Sequence, residues 1–295
     1  MWEWGSRPMD RIWELDFYSR PVVDENNKKI WELLICDRQL QFQFSKTCSG
    51  AEANARWLQA ALGEALGEWR QQFGLAADTQ PDRVRFFRRA MSAIITRGGT
   101  AAGLGMLASR RTFALYHWLR ERHAHVYPSL ANYQAELAEA LQLLPPAPEP
   151  LPPALMGDRW QVTALPWQEL ATAHEWQLPF GDIPPLPFLQ LAPDTIIPGV
   201  IIYSQRALPL AGWLSGLEPA YLSLESEPQP LLILDSGASD RWVLARLRTE
   251  ALRGEITAFM EACKASRGLH FIAVQERPQQ EQLQGFWLLQ QLSVV

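Results

Sequence analysis

The chain has 295 residues, 47% hydrophobic and 20% charged, with a formal net charge of −5, a balance that marks a globular protein and excludes intrinsic disorder. The length allows two ordinary domains with proper cores, and no apolar run approaches the roughly 18 residues that a membrane span needs. Cys36, Cys48 and Cys263 are odd in number and widely spaced, so neither a disulfide framework nor a zinc site is indicated, and no metal or cofactor is expected.

Residues 1–10 read as an N-terminal extension. Glu3, Asp10 and Glu14 interrupt any signal-type apolar core near the start, so a cytoplasmic protein is expected, without membrane insertion. Trp13, Leu15 and Phe17 alternate with Glu14, Asp16 and Tyr18, the pattern of a half-buried strand. Asp24 to Lys28 supplies a turn, Ile30 to Cys36 a second strand and Gln39 to Thr47 a third. A helix then runs from Ser49 or Gly50 to Phe73, with Gly74 placed to stop it. Val84 and Phe86 belong to a short fourth strand whose opposite face carries Arg83 and Arg85 together. A helix follows from about Arg89, although Gly98 and Gly99 each cost it about 1 kcal/mol relative to alanine. Ser109 is the expected N-cap of a further helix that Pro128 ends. On its wheel Leu115, Trp118, Leu119 and Val126 form one apolar stripe, into which Arg111 and Arg122 project.

The proline-rich Pro145 to Pro153 reads as an extended linker. It divides a first domain, residues 11–144, from a second, 159–295, with residues 145–158 between them. In the second half, Trp160 to Leu170 and Leu178 to Pro193 read as irregular covering segments. Strands are expected at Gly199 to Tyr203, Tyr221 to Leu224, Leu231 to Leu234, Trp242 to Leu247, His270 to Gln275 and Phe286 to Leu292, with helices from Ala207 and from Thr249 to Lys264. The expected fold class is therefore α+β, with two α/β domains. Each has a mixed sheet of three strands, a helix and a further strand, covered by helices.

Charge singles out one stretch. Between Asp82 and Tyr127, nine arginines, no lysine and two acids give a net charge of plus seven in an acidic chain. Arginines interleaved with aromatic rings suit single-stranded nucleic acid, one set for phosphates and the other for base stacking. Arg83, Arg85, Arg110, Arg111 and Arg122 are the candidate phosphate contacts, with Arg83 and Arg85 the better placed, and Phe87, Tyr116 and Trp118 the candidate stacking platform. The alternative is a helix-strand-helix core with a solvated basic rim, and both readings stay open here.

Other chemistry has less support. The order of three strands, a helix and a strand is that of ribonuclease-H-like folds, in which Asp16 and Asp37 could serve a metal-dependent nuclease. The acid expected at the end of the fourth strand is replaced by Arg88 and Arg89. His123 and His125 diverge on a helix and are poor co-ligands. Asp235 to Asp240 is ordinary turn chemistry. Near the end, Trp287, Leu288 and Leu289 are either a last buried strand or an exposed edge that a partner caps.

Several blocks together resemble one family: WELDFYSRP (Trp13 to Pro21), IWELLICD (Ile30 to Asp37), the SRRT-containing Ser109 to Pro128, Ile197 to Pro219, SDRWVLA (Ser239 to Ala245), GLHFIAVQ (Gly268 to Gln275) and GFWLLQ (Gly285 to Gln290). It is the RNA-binding translation-activator family of cyanobacteria and chloroplasts, known for translating the message of a photosystem I reaction-centre protein. The resemblance implies a non-enzymatic protein that binds the 5′ untranslated region of photosystem messages as single-stranded RNA, with translation or assembly factors as further partners. It also implies that Trp287, Leu288 and Leu289 matter for function. Relatives in plants and algae act in the chloroplast stroma, and this chain resembles a cyanobacterial, cytoplasmic member. A scaffold for photosystem biogenesis without direct RNA contact is the alternative. Gly98-Gly99 and Ala108, where a proline usually precedes SRRT, depart from the family pattern.

Overall fold

Strand β1 (Ile12–Val23) is the central element of the first sheet. It pairs antiparallel with β2 (Lys29–Asp37), which pairs antiparallel with β3 (Gln43–Cys48). After helix α1 (Ala55–Phe73), strand β4 (Arg83–Phe86) returns parallel to β1 on its other side. Helix α2 (Ser92–Ala101), strand β5 (Met106–Ala108) and helix α3 (Phe113–Glu121) complete the unit, giving the order β3-β2-β1-β4-β5. The computed structural model describes residues 11–137, 146–226, 229–280 and 282–292. The predicted extension, residues 1–10, and the first residue of the predicted linker, Pro145, lie outside them.

Helix α1 forms where the sequence supplies both ends. Asn54 accepts hydrogen bonds from the N–H groups of Arg56 and Trp57, each at 3.0 Å, and Gly74 closes the helix in the left-handed region at φ 63°. The helix therefore starts a turn later than Ser49 or Gly50. Its Leu58, Leu62, Ala65 and Trp69 pack with Trp13, Leu15 and Phe17 of β1. Gly98 and Gly99 do not interrupt α2. A Cβ on Gly99 would sit 2.2 Å from Met106 Sδ, and one on Gly98 would sit 3.0 Å from the Ala55 carbonyl oxygen and from Leu58 Cδ2. The two glycines let α2 pack closely on β5 and α1.

The other face of the sheet is covered as well. Val22, Leu34 and Cys36 form a second cluster with Ala114, Leu115, Trp118 and Leu119 of α3. Strand β1 is thus buried on both sides, not on one as its alternation suggests, and Glu14 and Asp16 are 1% and 0% exposed. Ser109 does not cap α3. Its hydroxyl accepts from the Arg111 N–H, while the Leu115 N–H donates to Glu14 Oε2 at 2.8 Å across 101 residues of sequence. The cap is supplied by a neighbouring strand.

The described part of the proline-rich region belongs to the second unit, and Leu186–Phe188 group with the first. Strand β6 (Glu149–Pro150) comes from that region and pairs parallel with a later strand, so part of the stretch read as a spacer is an edge strand. Strand β7 (Arg159–Pro166), helix α4 (Trp167–Ala171) and strand β8 (Phe180–Asp182) occupy segments expected to be irregular. The remaining elements are β9 (Ile196–Tyr203), α5 (Ala207–Leu217), β10 (Pro219–Glu225), β11 (Leu231–Ser236), β12 (Asp240–Arg246), α6 (Glu250–Ala265), β13 (Leu269–Gln275) and β14 (Leu283–Gln290). They form two sheets, β10-β11-β12-β6 and β7-β9-β13-β14-β8.

Both halves are α+β with mixed sheets, and the order of three strands, helix and strand recurs as β10, β11, β12, α6 and β13. In the first unit all four strands share a sheet; in the second, β13 joins the other sheet, parallel to β9. Val200, Ile202, Ile272, Val274, Trp287 and Leu289 form one core with residues of α5 and α6. No helix among the described residues is long and apolar enough to cross a membrane.

Candidate nucleic-acid interface

The carboxyl end of β4 beside β1 holds a network of arginines, acids and rings. Arg20 on β1 donates from Nη1 to Asp16 Oδ2 and from Nε to Glu32 Oε2, both at 2.9 Å. Arg88, just past β4, donates from Nε to Asp16 Oδ1 at 2.6 Å and from Nη2 to Oδ2 at 3.2 Å. Beyond α3 the chain makes a π-helical turn, Arg122–Val126, which brings Arg122 onto Glu32 Oε1, while Tyr127 donates its hydroxyl to Glu32 Oε2 at 2.6 Å.

Three guanidiniums thus face two carboxylates under cover. Burial pushes the Asp16 carboxyl up, but Arg88 and Arg20 outweigh it and hold it below its ordinary value. The cations also lie on rings: Arg88 is 4.0 Å from the Tyr18 centroid and 5.0 Å from that of Phe87, and Arg122 is 5.5 Å from that of Trp118. Half-buried His123 stands edge-on to Tyr127 at 5.0 Å. Burial, with Arg20 and Arg88 nearby, pushes its pKa down.

A second buried group lies on the same face. Glu14 is the cross-strand neighbour of Arg85, and burial pushes its carboxyl up to about 7 against the pull of the Leu115 N–H, Arg38 and Arg85. Arg111 is 1% exposed, its guanidinium 5.3 Å from the Phe113 ring centroid.

The candidate residues therefore separate. Arg83 is exposed, while Arg110 and Phe87 are half-buried. Arg83 and Arg85 do leave the same face of β4, but α3 covers that face, and Arg85 at 3% exposure is no open phosphate contact. Arg111 is equally enclosed, and Arg122 is committed to Glu32. Tyr116 and Trp118, 7% and 8% exposed, are core rings and offer no open stacking platform; Tyr116 packs 4.8 Å from Phe87. Trp287, Leu288 and Leu289 are at most 1% exposed, on a strand flanked by β13 and β8, so a partner does not cap them as an exposed edge.

Sequence reasoning passed over an outer set. Arg56, Arg89, Arg97 and Arg120 are exposed, and none has an acidic partner among the described residues. Arg56 and Arg97 flank a hollow of about 310 Å³ at the N-terminus of α1, walled by Ala55, Ala93 and Ile94. The positive end of a 19-residue helix and two guanidiniums there favour an anion. Arg56 lies in the first turn of an amphipathic helix, a position whose dipole was legible but whose neighbour on α2 was not.

The nuclease alternative has little to stand on. Both Asp16 oxygens accept from guanidiniums, and Asp37 Oδ1 accepts from the Gln39 and Gln41 N–H groups, at 3.2 and 2.8 Å, to close the turn after β2. Among the described residues no three His, Cys, Asp or Glu side chains converge to hold a metal ion. The three cysteines are buried free thiols, and burial pushes Cys48 up to about 11 and Cys263 to about 12.

A family model described as the N-terminal part of RNA-binding protein Tab2/Atab2 matches residues 12–122, and one for its C-terminal domain matches residues 138–290. The chain belongs to the Tab2/Atab2 RNA-binding protein family. It is 39% identical over 289 residues to a chloroplastic TAB2 homolog of Zea mays, covering 95% of this chain and 71% of that protein. A chloroplastic TAB2 homolog of Arabidopsis thaliana is 35% identical over 283 residues, covering 94% and 74%. No solved structure gives a significant match. The N-terminal Tab2/Atab2 match spans the whole β3-β2-β1-β4-β5 sheet and ends at Arg122, inside the buried network.

Proposed function

We propose that the protein binds single-stranded RNA in the 5′ untranslated region of photosystem messages and supports translation or assembly of reaction-centre subunits without enzymatic turnover. The observation that carries this reading is the Arg56 and Arg97 hollow, a concentration of unneutralised positive charge on an acidic chain of an RNA-binding family. Arg56, Arg89, Arg97 and Arg120, with Arg83 and Arg110, are the phosphate contacts; the buried arginines hold the scaffold. Phosphate binding releases counterions, so the log of affinity should fall with the log of salt at about −0.7 per neutralised phosphate.

A second reading, a protein scaffold without RNA contact, draws on the inner arginines being committed to the protein's own acids. Titration of labelled single-stranded RNA across a salt series separates the two. Combined Arg56→Ala and Arg97→Ala should weaken binding and reduce the slope by about 1.4. Absence of binding, or a salt-independent affinity, favours the scaffold, and a slope unchanged in the double variant moves the phosphate contacts away from the hollow. Sequencing the RNA that copurifies from native cells identifies the target message.

A further inference from the structure

The sheet β7-β9-β13-β14-β8 has one face in the core with α5 and α6. Strand alternation sends Ile201, Phe271, Ala273, Gln275 and Phe286 to the other face, where they border a cleft of about 500 Å³. That is within the range of small-molecule and cofactor sites, roughly 300 to 1,000 Å³. Its floor is apolar. Phe271 stacks on Phe286 at 5.0 Å and lies so flat over Gly199 that a Cβ there would come within 2.3 Å of the ring. Its mouth is polar: Thr163, Gln177 and Gln282 line it, and half-buried Trp176 stands there edge-on to Phe286 at 5.0 Å.

Among the described residues, no side chain lining the cleft is ionisable. A phosphate or carboxylate would find no cation there, and an alkyl chain would leave the Gln177 and Gln282 amides and the Thr163 hydroxyl unmatched, Gln275 already donating to the Gln280 carbonyl. Amide and hydroxyl groups, which both donate and accept, match the edge of a neutral heterocycle; a tryptophan held by a neighbouring ring matches its face. A sheet with helices behind it and rings in front is also a platform on which single-stranded RNA is read, through bases splayed out of the strand.

We propose that this cleft takes one unstacked nucleobase, with Trp176 against its face and Gln177, Gln282 and Thr163 along its edge. The inference rests on the RNA-binding reading and adds a base-recognition site in the second unit to the phosphate contacts of the first.

The test uses the full chain and two probes: the four ribonucleosides at millimolar concentration, followed by saturation-transfer NMR, and a short single-stranded RNA carrying 2-aminopurine, followed by fluorescence. Nucleosides should bind without phosphate, and the fluorescence should be quenched on binding. Trp176→Ala should abolish the quench and weaken RNA binding about 5- to 150-fold, and an abasic residue at the labelled position should cost the wild type as much. RNA binding that is equal in wild type and Trp176→Ala, with no nucleoside bound, overturns the cleft proposal and leaves the RNA-binding reading standing. Nucleoside binding without RNA binding does the reverse. Should Trp176→Ala fail to fold, Gln177→Ala, at an exposed position, serves instead: a several-fold loss of nucleoside affinity supports the proposal, and an unchanged affinity counts against it.

Discussion

Arg88 grips both oxygens of Asp16 across 72 residues of sequence, at 2.6 and 3.2 Å, while its guanidinium lies 4.0 Å from the Tyr18 ring centroid. The pair joins the end of β4 to the middle of β1, at a place where a metal-dependent nuclease of similar element order would need a second carboxylate. A fixed cation stands there instead.

Removing Arg88 leaves Asp16 with Arg20 as its only guanidinium partner among the described residues. Arg88→Ala should therefore destabilise the first unit by about 1.5–3 kcal/mol, the range for hydrogen bonds to a charged group, read from urea denaturation. Arg88→Lys should recover only part of this, because an ammonium cannot form the two-point contact or stack on the ring. Combining Arg88→Ala with Asp16→Asn should cost less than the sum of the single changes. Strict additivity would show that the pair is not coupled.

Glu14 in the first unit and His270 in the second should respond to pH in opposite senses. Glu14 has its folded pKa raised to about 7 from 4.5. The stability it confers is complete below pH 4.5 and is lost as pH rises through 7, up to about 3 kcal/mol in all. His270 is fully buried; its Nδ1 faces the Gly268 carbonyl at 2.9 Å and its Nε2 accepts the Leu222 N–H at 2.8 Å, and burial pushes its pKa down to about 4 from 6.5. The unfolded chain takes the proton first, so stability is complete above pH 6.5 and falls by up to about 3 kcal/mol as pH drops to 4. Hydrogen exchange at pH 5 and pH 8, compared between the wild type and Glu14→Gln, separates the Glu14 contribution from that of His123, whose lowered pKa in the same unit works the other way. The variant should gain stability over the wild type at pH 8 in the first unit, and the second unit should strengthen at the higher pH in both proteins.

Trp287→Ala should act through folding. The indole is 1% exposed in the core shared with α5 and α6, and its loss should cost about 3–5 kcal/mol. Thermal melting should show the loss without RNA present, and Trp287→Phe should retain RNA affinity. A Trp287→Ala protein of unchanged stability that no longer binds a partner would restore the exposed-edge reading.

Two glycine replacements on helices should have opposite signs. Gly63→Ala meets nothing within 4 Å and should stabilise α1 by about 1 kcal/mol through helix propensity. Gly98→Ala sets a methyl 3.0 Å from the Ala55 carbonyl oxygen and from Leu58 Cδ2 and should destabilise by about 1–3 kcal/mol. Melting curves of the two single variants check both.

Local pattern determined much of this protein. Strand alternation, the helix with its Gly74 stop, and the blocks shared with an RNA-binding family are properties of neighbouring residues and needed no tertiary information. The α+β class and two-part layout follow from them. Tertiary packing decided which polar residues meet water. Glu14, Asp16 and Arg85 alternate with apolar neighbours as a solvent face would, but α3, about a hundred residues on from Glu14, lies over them and turns that face into a second core held by ion pairs. A period of two separates the faces of a strand and carries no signal of what covers them. The same limit hid the pairing of Arg56 with Arg97 and the cleft over Phe271, since each is made of residues that adjoin only once the sheets have formed.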